Sequence, residues 1–142
     1  MDKKEQLRDY YTNATHKYYL EGASKQRAFS RVCDEWLEAY IQIVDHKVKA
    51  SYDVNGCAIT TSSSEAIARI IDGMDYDDAV KLLEDFKVYL EEQEVDNQEE
   101  NKDAKIPEEF APYDFLEKQR SRVKCVLFPV KEFLKKLEQE NK

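Results

Sequence analysis

Residues 52–73 decide how this chain is organised, and they read Tyr-Asp-Val-Asn-Gly-Cys-Ala-Ile-Thr-Thr-Ser-Ser-Ser-Glu-Ala-Ile-Ala-Arg-Ile-Ile-Asp-Gly. The first residues continue a strand, Asn55-Gly56 indicates a turn, and the apolar spacing that follows predicts a helix. Cys57 is therefore expected on a loop between two rigid elements, where reactive residues tend to lie. The other two cysteines are Cys33, upstream, and Cys125, far downstream.

Two strands are predicted before this stretch. Alternating apolar and polar side chains indicate one half-buried strand over 36–43 and a second over 47–54, joined by a turn at 45–47. A weaker alternation allows a short strand within 27–32. The expected inward side chains are Leu37, Ala39, Ile41, Ile43, Val48, Ala50, Tyr52 and Val54.

The alternation can be continued backwards from Leu37. This places Glu35 and Cys33 on the core side of the strand and Asp34 on the opposite side, because side chains alternate between the faces of a strand. A thiol and a carboxylate are therefore expected near one end of the sheet.

Apolar spacings of three and four predict the helices. They are expected over residues 2–21, from Cys57 to Gly73, over 75–94 and over 126–139. Ser62 or Ser63 should cap the second helix, with Glu65 in the capping-box position. Asp2 is the expected cap of the first helix, which Gly22 should end. Pro129 should lie in the first turn of the last helix or kink it.

The composition favours a single domain over residues 1–142. Residues 93–105 have too little apolar content to pack and predict a mobile acidic insertion. The net charge of −8 argues against nucleic acid or an anionic membrane as partner. With no long apolar run and no apolar secretion signal at its start, the chain is expected to be cytoplasmic.

The three cysteines suggest thiol or metal chemistry rather than a disulfide framework, because their number is odd and the cytoplasm keeps thiols reduced. With Glu35 they would form a four-coordinate site suited to zinc, and an iron–sulfur cluster is the rival. The chain has no Cys-x-x-Cys pair, so spacing alone favours buried, unligated cysteines. Lys124 and Arg122 would place positive charge near Cys125, which lowers a thiol pKa. We assign no metal role to His16 or His46.

Longer motifs make a family recognisable. The run 56–64, Gly-Cys-Ala-Ile-Thr-Thr-Ser-Ser-Ser, resembles the central motif of the NifU N-terminal/IscU/SufU family, as do residues 71–74 and 77–79. Residues 122–125, Arg-Val-Lys-Cys, resemble its third-cysteine motif, and residues 33–35, Cys-Asp-Glu, stand where the family has Cys-Gly-Asp. Residues 9–13 resemble the end of its N-terminal helix.

The resemblance implies an α+β fold, a small three-stranded antiparallel sheet covered by helices. It implies that Cys33, Cys57, Cys125 and a carboxylate gather at one end and bind zinc or carry a nascent cluster. The family carboxylate falls at Glu35, with Asp34 as the alternative ligand. By the same resemblance Cys33 is the expected sulfur acceptor, and Cys57 is a ligand rather than the nucleophile.

Two features resemble the SufU branch. IscU-type scaffolds usually have His where this chain has Lys124, and the segment 91–119 is similar to the SufU insertion. The resemblance therefore implies a zinc-binding sulfur carrier of sulfurtransferase type, which acts with a cysteine desulfurase and supplies apo iron–sulfur proteins or other assembly factors. It would not be a stand-alone enzyme.

Two alternatives stay open at this point. The chain could be a scaffold on which a 2Fe–2S cluster is transiently built. It could also be an interaction module that has lost its metal site, a reading motivated by the altered Cys33-Asp34-Glu35 motif.

Overall fold

The computed structural model describes residues 2–30, 34–94 and 104–141. Its elements are α1 (Lys3–Thr12), β1 (Arg27–Phe29), β2 (Trp36–Val44), β3 (Lys47–Asn55), α2 (Ala58–Ile71), α3 (Tyr76–Glu94) and α4 (Val123–Glu140). Two 3₁₀ segments, Glu108–Glu117 and Arg120–Arg122, connect the described end of α3 to α4. The predicted α+β class, with a three-stranded antiparallel sheet and helices, is confirmed.

The sheet follows the chain order β1-β2-β3, with both neighbouring pairs antiparallel. Leu37 pairs with Val54 and Ile43 pairs with Val48, so the predicted hairpin register has its apolar side chains on one face. That face packs under α2 and α4, and α3 packs against α4. The core therefore lies between the sheet and these helices.

The opposite face of the sheet is less exposed than the alternation predicts. Tyr40 and Ser51 point to this face, yet both are buried. The chain after α1 runs over it, since the ring of Tyr19 lies edge-on to that of Tyr40 at 5.1 Å. Gln42 adds a hydrogen bond to the carbonyl of Glu21. This irregular segment replaces a helix layer on that side of the sheet.

The first helix is shorter than predicted. Asp2 caps it as expected, its carboxylate accepting from the Glu5 N–H at 2.8 Å. The helix ends at Thr12 rather than near Gly22, and the chain then crosses to the sheet. There the Tyr52 N–H donates to the His16 carbonyl at 3.1 Å, so the segment at His16 lies against the edge of β3 that does not face β2. Gly22 instead supplies a turn with φ of 89°.

The N-cap of the second helix lies five residues before the first of the two predicted caps. Cys57 is its N-cap, while Ser62 and Ser63 are buried inside the helix. Glu65 is also buried and forms no capping box. Its carboxylate accepts instead from the backbone N–H groups of Thr15 and His16. The local capping pattern was wrong because the N-terminal segment uses this carboxylate.

The last helix also begins earlier than predicted, at Val123. Pro129 is its seventh residue and is buried, so of the two alternatives predicted for Pro129 the first-turn position is wrong. The predicted insertion at 93–105 falls largely on residues 95–103, which lie outside the described part of the chain. Gln93 and Glu94 are the last residues of α3. In the described ranges, no helix has the length and apolarity needed to cross a bilayer.

Candidate metal centre

Cys57 lies in the short connection between β3 and α2. Its φ of −67° and ψ of 169° are those of a helix cap, and its sulfur accepts from the Thr60 N–H at 3.4 Å. The carbonyl of Cys57 accepts the first intrahelical bond, from Thr61. The Cys57 sulfur therefore lies at the N-terminal end of α2, within reach of the unpaired N–H groups of the first turn.

Glu35 precedes the first residue of β2 and is only 6% exposed. Its Oε2 accepts a short hydrogen bond of 2.6 Å from the Cys57 N–H. The hydroxyl of Thr60 donates to both carboxylate oxygens, at 3.2 Å to Oε1 and 3.1 Å to Oε2. The carboxylate is therefore fixed against the beginning of α2.

Gly56 makes this approach possible. A Cβ atom at position 56 would lie 2.9 Å from Oε2 of Glu35 and 3.2 Å from Cγ2 of Thr60. The backbone of Gly56 does not need a positive φ, since the positive-φ glycines of the described chain are Gly22 and Gly73. A side chain at position 56 would therefore displace the Glu35 carboxylate, so it is the small size of glycine that allows this close approach.

Cys125 reaches the same place from α4, where it lies in the first turn. Ser63 donates to its carbonyl at 3.4 Å. The pKa of the Cys125 thiol is raised to about 11, chiefly by burial and then by hydrogen bonding and charge from Cys57 and by the charge of Glu35. The Thr60 hydroxyl acts in the opposite direction. The two thiols, the carboxylate and the hydroxyl therefore form one cluster.

The remaining predicted site residues stand as follows. Cys33 lies outside the described residues. Asp34 is exposed. The next residue, Glu35, is held through its backbone carbonyl, which accepts from the Ser30 N–H at 2.9 Å. Lys124 and Arg122 are exposed, and neither side chain makes a hydrogen bond or ion pair within the described part of the chain.

Thr60 is the member of this cluster that sequence reasoning missed. It is completely buried, and its hydroxyl lies 3.3 Å from Sγ of Cys57 as well as next to Glu35. The available signal was its position three residues after Cys57, which is the contact spacing of a helix that starts at the cysteine.

The donor set fits zinc or an iron–sulfur cluster. Two thiols and a buried carboxylate converge at one end of the sheet, and soft sulfur donors select these metals. The hydrogen bonds that Glu35 accepts on both carboxylate oxygens are of the kind that orient a metal ligand from its surroundings.

Within the described ranges, the ligand atoms of Glu35, Cys57 and Cys125 do not all lie within 4.8 Å of one another, whereas a different group of possible metal ligands at the opposite end of the β2–β3 hairpin does meet that spacing. Ligand atoms of His46, Asp75 and Asp77 fall within 4.8 Å of one another. Their contacts are those of a helix start: Asp75 accepts from the Asp77 N–H at 3.1 Å, and His46 Nε2 lies 3.2 Å from Asp77. Acidic side chains at the N-terminus of α3 are stabilised by the helix dipole without any metal.

Comparison with known proteins agrees with this architecture. Three solved structures share the fold over 95–96% of this chain. One is a hypothetical protein (TM-score 0.76, 18% identity, 96% of that chain). Another is a proposed iron–sulfur cluster assembly scaffold for the SUF system from Fervidobacterium islandicum AW-1 (TM-score 0.70, 21% identity, 93% of that chain). The third is a nitrogen-fixing NifU-like protein, N-terminal part, from Brucella abortus (TM-score 0.75, 15% identity, 92% of that chain).

No curated protein matches the chain significantly. The family described as NifU-like N terminal domain matches residues 2–119. This match covers most of the sequence and includes Glu35 and Cys57. The chain therefore belongs to the NifU-like N-terminal domain family, a family of iron–sulfur cluster assembly scaffolds.

Proposed function

We propose that this protein is a zinc-binding sulfur carrier that accepts persulfide sulfur from a cysteine desulfurase during iron–sulfur cluster assembly. The observation that carries the proposal is the convergence of Cys57, Cys125 and Glu35 at the beginning of α2. Family membership supports the pathway, and the SufU-like sequence features support the carrier role.

Cys33 is the proposed acceptor. The alternation of the sequence before Leu37 and the family resemblance both assign its thiol to the same end of the sheet, as a third sulfur donor. Lys124 and Arg122 would contribute positive charge on the side of Cys125.

The transfer is a thiol–disulfide type of exchange. The thiolate of Cys33 attacks the outer sulfur of the desulfurase persulfide. The sulfur–sulfur bond of the donor breaks as a new one forms to Cys33, and the desulfurase cysteine leaves as a thiolate. The product is a Cys33 persulfide, with no net oxidation or reduction.

Cys33, Cys57, Cys125 and Glu35 would hold zinc, whose bound form keeps thiols ionised and ordered at neutral pH. The raised pKa of Cys125 disfavours the thiolate of that residue, which bound zinc would stabilise. Glu35 is already hydrogen-bonded through Oε2, so Oε1 is the oxygen with more free capacity to bind.

The test measures desulfurase turnover and sulfur transfer together. Zinc-loaded wild type should increase alanine production from cysteine, and mass spectrometry should find one added sulfur atom on the peptide containing Cys33. Cys33→Ala should lose both effects. Glu91→Gln is the control, because it changes an exposed carboxylate on α3 and leaves the thiols and the predicted ligands intact. Failure of the zinc-loaded wild type to stimulate the desulfurase would contradict the proposal.

The second candidate is a scaffold on which a 2Fe–2S cluster is transiently built. The likeness to a structure described as a SUF scaffold favours it, and the same thiols could hold the cluster. Anaerobic reconstitution with iron and sulfide should then give a visible cluster that transfers to an apo iron–sulfur protein. Lys124, where IscU-type scaffolds usually have His, argues for the sulfur-carrier reading.

Metal analysis of protein purified without oxygen separates both candidates from an interaction module without a metal site. About one zinc per chain would exclude such a module.

A further inference from the structure

Thr60 occupies the centre of the cluster without being one of its sulfur or carboxylate donors. It is completely buried one turn into α2. Its hydroxyl donates to Glu35 at 3.1 and 3.2 Å and lies 3.3 Å from Sγ of Cys57. Its backbone N–H also points at that sulfur, at 3.4 Å. One residue thus contacts two proposed ligands from different elements.

The length of the Glu35 side chain explains why a second hydrogen-bond donor is needed to fix its carboxylate. Glutamate has one more rotatable bond than aspartate, so its carboxylate loses more side-chain freedom when it is fixed. The Cys57 N–H holds Oε2 at 2.6 Å but leaves the tilt of the carboxylate undefined. The bifurcated bond from Thr60 restrains both oxygens and therefore fixes that tilt.

We propose that Thr60 is a positioning residue of the metal centre, whose hydroxyl sets the Glu35 carboxylate against Cys57 before the metal binds. The inference rests on the proposed metal-dependent function and adds a residue outside the predicted ligand set. Groups that orient metal ligands by hydrogen bonds typically contribute about 10–100-fold to metal affinity. We expect an effect of that size for the Thr60 hydroxyl.

A purely structural role makes a different prediction. The carbonyl of Thr60 accepts from Ser63 at 3.1 Å and from Ser64 at 2.8 Å, and these bonds belong to the helix interior. They do not involve the Thr60 side chain. If Thr60 only filled space in the core, its hydroxyl would be dispensable for metal affinity.

The experiment compares zinc affinities by competition with a chromophoric chelator. Thr60→Val keeps the branched shape and removes the hydroxyl, so zinc affinity should fall about 10–100-fold. Thr60→Ser restores the hydroxyl and should return affinity to within about threefold of wild type. Thr61→Val is the matched control and should leave affinity unchanged, because the Thr61 hydroxyl donates to the Gly56 carbonyl at 3.4 Å and, among the described residues, contacts neither Glu35 nor Cys57.

Two further measurements separate positioning from folding. Urea titration of the metal-free proteins reports their stability, and cobalt substitution reports ligand geometry through its visible absorption. Thr60→Val should change the cobalt spectrum, whereas Thr61→Val should not. Should Thr60→Val fail to fold, Thr60→Ala carries the same comparison against Thr60→Ser.

A double-mutant cycle with Glu35→Ala tests the route of the effect. If Thr60 acts through Glu35, Thr60→Val should change zinc affinity little once Glu35 is gone. Equal zinc binding by wild type and Thr60→Val, or equal losses in Thr60→Val and Thr60→Ser, would overturn the inference. Absence of zinc binding in wild type would instead overturn the proposed function.

Discussion

Replacing Glu65 by Gln should destabilise the fold by about 3 kcal/mol. Glu65 lies on the helix that begins at Cys57, and its carboxylate is buried among donors. Oε1 accepts from the Tyr52 hydroxyl at 2.7 Å and the His16 N–H at 3.2 Å. Oε2 accepts from the Thr15 N–H at 3.1 Å and Arg69 Nε at 3.0 Å. Four other residues therefore depend on this one anion.

The magnitude follows from what Gln can and cannot replace. Its carbonyl can take the place of Oε2, but its NH₂ group then faces the His16 N–H, which loses its acceptor. One buried unpaired donor costs about 1–3 kcal/mol, and the charge-assisted bond to Arg69 contributes about 1.5–3 kcal/mol. We therefore expect a loss near 3 kcal/mol and a melting temperature about 10 °C lower for a chain of this length.

The effect should also depend on pH. Burial acts to raise the pKa of Glu65, but hydrogen bonds from Thr15, Tyr52, His16 and Arg69 outweigh burial and leave it below the ordinary 4.5. A lowered carboxyl pKa gives stability that is complete above the unfolded value. That stability is lost as the pH falls through the folded value. The difference between wild type and Glu65→Gln should therefore narrow below about pH 4.5.

The assay is urea unfolding followed by circular dichroism at pH 7 and at several acid pH values. Glu91→Gln is the control, since Glu91 is exposed on α3 and should change stability by less than about 0.5 kcal/mol. A loss below about 1 kcal/mol for Glu65→Gln would refute the buried-anion reasoning. A difference that stays constant in acid would refute the pKa argument.

Three other predictions concern separate parts of the chain. Gly56→Ala should lower zinc affinity, measured by chelator competition, because its Cβ would lie 2.9 Å from the Glu35 carboxylate. Gly73→Ala is the control: Gly73 has a φ of +87° but no atom within 4 Å of an added Cβ, so this change should lower only the folding stability, measured by urea titration. Lys136→Met should stabilise the protein by about 1 kcal/mol at pH 7, because the buried ammonium bonds only Gln26 and has no carboxylate within ion-pair distance among the described residues. Burial lowers the pKa of Lys136, so the gain in stability from Lys136→Met should shrink as the pH rises towards 10.5. Urea titrations at a series of pH values would measure the gain, and a gain that stays constant up to that pH would contradict the argument. Removing zinc with a chelator should lower the melting temperature clearly, since structural zinc contributes about 10–16 kcal/mol of apparent binding energy; calorimetry showing no change would contradict an occupied site.

The sequence by itself determined the sheet. The side-chain period of a strand is 2, and the register from Leu37–Val54 to Ile43–Val48 follows once one face must be buried. This signal is local and strong, so the hairpin and its inward residues could be predicted. The family motifs around Cys57 and Cys125 then identified the fold, which the structure confirms.

Helix boundaries depended on contacts far apart in the sequence. The spacing of Ser62 and Glu65 in the sequence matches a capping box, but the Glu65 carboxylate accepts hydrogen bonds from Thr15 and His16, about fifty residues away. The sulfur of Cys57 caps the helix instead. Likewise α1 ends at Thr12 because the following segment pairs with the edge of β3. No local pattern contains these partners.

For the candidate site, too, some residues could be predicted from the sequence and others only from the tertiary structure. Cys57, Cys125 and Glu35, the predicted members that the structure describes, could be named from the sequence, because strand alternation and motif spacing are local. The role of Thr60 and the need for glycine at position 56 could not, since both arise from the Glu35 carboxylate crossing the start of α2. Only the tertiary structure brings the beginning of β2, the N-terminus of α2 and the first turn of α4 together, because only packing fixes distances between elements joined by long connections.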